Sequence, residues 1–120
     1  MIISVLFLSL SLPVHAASLY PLPDNQLAAA AIRLKEHNYK SSREIALTAP
    51  HSGLRDFLLG MTAYKAEDWP EAATHLSHAA DSFPLLADYA LYNEASALYR
   101  LDRFSEALAP LQRVARDFPN

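Results

Sequence analysis

A 35-residue step governs this chain. Tyr64 recurs as Tyr99, Trp69 as Phe104, Glu71 as Glu106, Ala72 as Ala107, Leu76 as Leu111, Phe83 as Phe118 and Pro84 as Pro119. Each pair is offset by the same amount (99 − 64 and 119 − 84 both give 35). A fixed step of this length is the signature of a helical repeat, in which each unit buries its apolar face against its neighbours. Such arrays serve far more often as binding surfaces than as catalytic pockets. Composition agrees. Only 2 of 120 residues are Gly, 52% are apolar, and no alternating β-branched run marks a strand.

The expected fold is all-α, built from about three antiparallel helix pairs in a tetratricopeptide-like α-solenoid. Residues 25–50 form a degenerate first pair, 54–84 one repeat and 87–120 another. Leu27, Ala30, Ala31 and Leu34 recur at helical spacing up to Glu36, with Asp24 or Asn25 as the cap. His37-Asn38-Tyr39 reads as a turn, and Ser41 or Ser42 starts a second helix ended by Pro50 and Gly53. Leu54 to Ala66 is the third helix, Glu67-Asp68 its turn, and Pro70 opens the fourth, which Pro84 closes. The fifth runs from Ala87 to about Leu101. Asp102-Arg103 then turns the chain into the sixth, which starts at Ser105 and carries Pro110 past its first turn. That proline predicts a kink or one lost hydrogen bond. Gly60, Ala72, Ala95 and Ala107 sit where paired helices need to approach closely, and Tyr39, Trp69 and Phe104 plug the turn end of each pair.

The first residues read as a targeting segment. Ile2 to Leu12 is apolar apart from serines, Pro13 interrupts it, and Val14-His15-Ala16 supplies small residues for cleavage after Ala16. Residues 1–16 are therefore expected to be a signal peptide and 17–24 an extended linker held open by Pro21 and Pro23. The rival is a membrane anchor, but the apolar run is too short for a stable span. Either reading places the mature part in an exported compartment, the periplasm. Cys is absent, which excludes a disulfide scaffold and a lipid-modified cysteine. A net charge of −3 without any basic run gives nucleic acid no electrostatic foothold.

Gly60, Tyr64, Trp69, Ala72, Ala79 and Pro84, and then Ala95, Tyr99, Phe104, Ala107 and Pro119, resemble tetratricopeptide repeats. A narrower likeness lies in Leu86-Ala87-Asp88-Tyr89-Ala90-Leu91-Tyr92, Ala97-Leu98-Tyr99, Arg103-Phe104-Ser105-Glu106-Ala107-Leu108 and Asp117-Phe118-Pro119. This stretch is similar to the N-terminal helical superhelix of bacterial soluble lytic murein transglycosylases. That resemblance implies a non-catalytic scaffold in peptidoglycan turnover, attached to a lysozyme-like domain outside these residues. The alternative is a stand-alone periplasmic adaptor that binds a protein or peptide in envelope assembly.

No residue pattern supports a catalytic site or a cofactor. His75 and His78, three apart on a helix with Glu71 one turn earlier, have the spacing of metal ligands. The commoner meaning of that spacing is a polar helix face, and no metal is expected. Glu67, Asp68 and Glu71 flank a helix N-terminus, where the dipole accommodates acidic groups. Glu94 stands where the preceding repeat has Leu59. It either faces a partner, or reaches solvent or an Arg at a loose edge. Tyr89, Tyr92, Ser96 and Tyr99 share one helix stripe bordered by Asn93 and Arg100. The candidate binding face comprises Tyr89, Tyr92, Asn93, Ser96 and Arg100, with Met61 and Lys65 from the preceding repeat. Tyr99 is expected to pack against its neighbours. The expected partner is a protein or peptide, or the rest of the chain's own C-terminal part, with peptidoglycan engaged through that part. Leu108, Leu111, Val114, Ala115 and Phe118 form an apolar stripe that predicts a covering element: a continuation of the chain, a partner or a second copy.

Overall fold

The computed structural model describes residues 25–120. The signal-peptide and linker expectations, and the cap at Asp24, fall outside them. Six α-helices follow one another: α1 (Asn25–Lys35), α2 (Tyr39–Thr48), α3 (Gly53–Lys65), α4 (Trp69–Ser82), α5 (Ala87–Arg100) and α6 (Phe104–Asp117). A 3-10 turn, Pro84–Leu86, leads into α5. The described residues contain no strand. The expected three antiparallel pairs are present as α1–α2, α3–α4 and α5–α6.

Each pair is closed by the same turn. His37, Glu67 and Asp102 adopt φ of 61°, 61° and 59°. After each, the next N–H reaches back five residues: Asn38 to Arg33, Asp68 to Ala63, and Arg103 to Leu98, each at 2.9 Å. This is the Schellman motif, which satisfies helix carbonyls that would otherwise be orphaned. Glycine, which adopts this conformation at least cost, occupies none of the three positions; of the residues present, Asp102 is the type that tolerates it best. Asn38 and Asp68 then cap α2 and α4, accepting hydrogen bonds from the Ser41 and Glu71 N–H groups. Two expected boundaries move: the Asn38 cap starts α2 at Tyr39 rather than at Ser41 or Ser42, and α6, which follows Arg103 without a side-chain cap, starts at Phe104 rather than at Ser105.

Small residues set the helix separations. A Cβ at Gly60 would lie 2.7 Å from Leu76 Cγ and 3.1 Å from the Leu76 nitrogen. Ala72, Ala79, Ala90 and Ala97 have no exposed surface. One core spans the second and third pairs, centred on Leu76, Leu91 and Leu98. Gly53 does not end α2; it opens α3. A Cβ there would sit 2.3 Å from the Ser82 carbonyl oxygen, so the end of α4 passes directly over it. Pro110 is buried inside a continuous α6, and the Glu106 carbonyl is left without its usual i+4 donor.

The first pair has a thinner core and is held by polar contacts. Ser42 occupies the position that is Ala72 one repeat later. Its hydroxyl donates to the Ala30 carbonyl at 2.9 Å and lies 2.9 Å from the Thr62 hydroxyl, tying α2 to α1 and α3. Arg55 on α3 is buried, and its guanidinium donates to the carbonyls of Ala46 and Leu47 at the C-terminal end of α2. A cation there meets the negative pole of that helix. The first helices of successive pairs touch, α1 with α3 and α3 with α5. The second helices are joined by ion pairs, Arg43–Glu71 at 2.9 Å and Arg113–Asp81 at 2.6 Å.

Gly60→Ala is expected to lower stability. The helix-propensity gain of about 1 kcal/mol is smaller than an overpacking cost of about 1–3 kcal/mol. Gly60→Leu should lower it further. The denaturant midpoint reads both. By contrast, Glu67→Gly should raise stability by about 0.5–1 kcal/mol, because glycine removes the cost of a left-handed turn residue.

Candidate functional site

The repeat allows one position to be compared under two different covers. Tyr64 sets its ring edge-on to Trp69, centroids 5.2 Å apart, and its hydroxyl lies 2.8 Å from Ser96 Oγ on the next pair. The Arg100 guanidinium carbon stands 5.5 Å from the Trp69 ring centroid, a cation–π contact. One step later Tyr99 repeats the edge-on contact with Phe104 at 5.1 Å, but among the described residues no further pair meets them. Tyr99 is 64% exposed and Phe104 52%. Leu76 is fully buried, whereas its equivalent Leu111 is 42% exposed. Ala73 is buried, and its equivalent Leu108 is open to solvent. Where the residue is the same, as in Tyr64 and Tyr99 or Leu76 and Leu111, the difference in exposure follows from the neighbouring pair that meets one and, among the described residues, not the other.

This open face holds a groove of about 220 Å³, lined by Tyr92, Ala95, Ser96 and Tyr99 of α5 and by Ala107 and Leu111 of α6. Alanines form its floor and aromatic rings its walls, and Ser96 is held in place by Tyr64.

The structure divides the residues expected to bind. Tyr92 and Ser96 line the groove. Arg100 is outside the groove lining and lies over Trp69 of the preceding pair. Tyr89 is half exposed but leans on Phe57, ring centroids 6.2 Å apart, outside the groove lining. Asn93 is buried, its amide donating to the Tyr89 carbonyl at 2.8 Å, so it serves the helix rather than a partner. Met61 is buried in the main core. Lys65 is exposed at the end of α3 and does not reach the groove. Tyr99, expected to pack away, is instead a wall. Leu111 and Ala107 are additions to the expected site; the apolar stripe of α6 is the signal for Leu111, and Ala107 enters as the close-packing residue beside it.

Glu94 lies on another face, in a cleft lined by Ser77, Leu91, Pro110 and Arg113. Burial, aided by the nearby Asp81 carboxylate, pushes its carboxyl above the ordinary value of 4.5, although Ser77 and Arg113 oppose the shift. Of the two expectations for Glu94, the arginine neighbour at a loose edge fits this geometry. A separate cluster brings Asp56 of α3 beside His75 and His78 of α4. Among the described residues no helix is long and apolar enough to cross a membrane.

A family model described as the N-terminal domain of EccA1, a protein of the ESX-1 type VII secretion system, matches residues 4–119. No curated protein and no solved structure matches the chain. The family match overturns the likeness to soluble lytic murein transglycosylases, and with it the peptidoglycan-turnover role and the proposed contact with peptidoglycan. The adaptor alternative is closer in kind, but its envelope-assembly role gives way to a secretion-system family. The physical reason is visible in the residues that carried the likeness. Ala87, Ala90, Leu91, Ala97, Leu98 and Ala107 are buried packing positions that any close helix pair requires.

The raised Glu94 pKa fixes the sign of a pH effect. The folded state holds this proton more tightly than the unfolded state does. Stability contributed here is therefore full below the unfolded value and is lost as pH rises through the folded one. Glu94→Gln should stabilise the domain at neutral pH, and the gain should vanish below about pH 4. Urea midpoints measured across pH check this.

Proposed function

The chain belongs to the family of the EccA1 N-terminal domain, and from that premise we propose that it is a docking domain of a type VII secretion system. Its groove between α5 and α6 holds a helical segment of a partner protein. The observation that carries this reading is the exposure of Tyr92, Tyr99 and Leu111 around one apolar groove. Each equivalent that can be compared within the array is covered: Tyr64 by Ser96, Trp69 by Arg100, and Leu76 by surrounding helices. The element that provides the cover between the second and third pairs is an amphipathic helix, α5. A helix with an apolar face is thus the shape this surface accepts, and such helix-in-groove contacts are a common mode of recognition.

The energetics favour such a partner. Tyr rings bury large area at low entropic cost, and Ser96, already held by Tyr64, offers a fixed polar point.

The reading is tested in cells that contain a type VII secretion system. A photo-crosslinking residue at position 92 should capture one predominant protein of that system. The same residue at Lys40, on α2, should capture none. Tyr99→Ser with Leu111→Ser should abolish the crosslink while the circular dichroism spectrum stays helical. Equal capture at both positions, capture that survives the groove variants, or a crosslink confined to this same polypeptide would overturn the reading.

A further inference from the structure

His75 and His78 stand about one turn apart on α4, and α3 brings Asp56 up to them. One donor atom from each of the three lies within 4.8 Å of the other two. His75 Nδ1 is 3.4 Å from Asp56 Oδ1. Two ligands bound at about 2.0–2.1 Å to a tetrahedral zinc are separated by roughly 3.3–3.4 Å. One edge of a coordination tetrahedron is therefore already at its working length. His78 is exposed, and its imidazole makes no hydrogen bond or ion pair among the described residues. This side chain supplies the third donor of the set.

The far side of His75 is arranged as metal-bound imidazoles are. Its Nε2 lies 3.5 Å from Glu71 Oε1, and that oxygen accepts from Arg43 Nε at 2.9 Å. His75 Nδ1 and Asp56 Oδ1 are also within hydrogen-bond range of each other, so a cation there takes the place of a proton shared by that pair, while a carboxylate near the far nitrogen is the arrangement that orients metal-bound imidazoles. The spacing of His75, His78 and Glu71 suggested Glu71 as the third ligand. The geometry gives that place to Asp56, from a different helix, and makes Glu71 the orienting group. Formal charge agrees, since two carboxylates face one guanidinium and the imbalance is negative. Imidazole donors favour zinc and its late first-row neighbours over magnesium or calcium.

We propose that Asp56, His75 and His78 form a zinc-binding site that clamps α3 to α4, with Glu71 as its positioning residue and the fourth coordination position open to water or to a partner's side chain. This site is independent of the groove between α5 and α6.

The test uses the full chain, stripped with EDTA and titrated with zinc chloride. One equivalent should bind saturably and raise the thermal midpoint. Cobalt should give the visible absorption of tetrahedral coordination, and excess magnesium should not compete. His78→Ala alters an exposed side chain, so the fold should persist, yet stoichiometric binding should be lost. Asp56→Asn should lose it too. Glu71→Gln should weaken binding by about 10–100-fold without abolishing it. His37→Ala and His51→Ala should leave zinc stoichiometry and affinity unchanged. The competing occupant is a proton on His75 bridging Asp56 and Glu71. In that case the thermal midpoint is the same in zinc and in EDTA, which overturns the proposal. So does zinc binding that persists in both His78→Ala and Asp56→Asn.

Discussion

The contact of Leu76 with the bare backbone at Gly60 sets the distance between α3 and α4, and the array is built outward from that distance. Helices this close exclude water from the ridge between them, so small side chains recur wherever a pair meets: Ala30 with Ala46, Gly60 with Ala72, and Ala95 with Ala107. Interiors packed to this density leave little freedom for a larger group. The Schellman turns follow from the same demand. A chain that reverses in three residues needs one of them in the left-handed region, and His37, Glu67 and Asp102 supply it in register. Closeness and reversal together account for the step that is visible in the sequence.

What repeats was therefore legible, and what links the repeats was not. The pairs, their turns and the tight position of Gly60 follow from spacing alone. Arg55 was missed because its partners, the Ala46 and Leu47 carbonyls, exist as a target only once α2 ends beside α3. The Ser42–Thr62 contact is hidden for a similar reason, since Ser42 stands where the later pairs use alanine. At the candidate site, spacing placed Tyr92 and Ser96 on one stripe but could not say what covers it. Asn93 sits on the edge of that stripe and turns inward to the Tyr89 carbonyl, four residues back. Met61 shares a helix with the site yet belongs to the core. Tyr99 was misjudged because its counterpart Tyr64 is covered, and cover is a property of the neighbour.

The misplaced family likeness has the same origin. A close helix pair demands alanines at the ridge, an aromatic near the turn and a proline after the second helix. Families that share this packing share these letters. Residues free of that demand, such as Tyr92, Glu94 and His78, carry more information about role, and it is these that distinguish the groove and the histidine cluster from a generic scaffold.

The two edges of the array are joined by different forces. First helices touch directly, through apolar contacts that salt does not weaken. Second helices are bridged by Arg43–Glu71 and Arg113–Asp81, both partly solvated. Ion pairs of this kind are worth roughly 0–1 kcal/mol and are screened at physiological ionic strength. A rise in ionic strength therefore weakens the contacts along one edge of the array and leaves the apolar packing along the other unchanged.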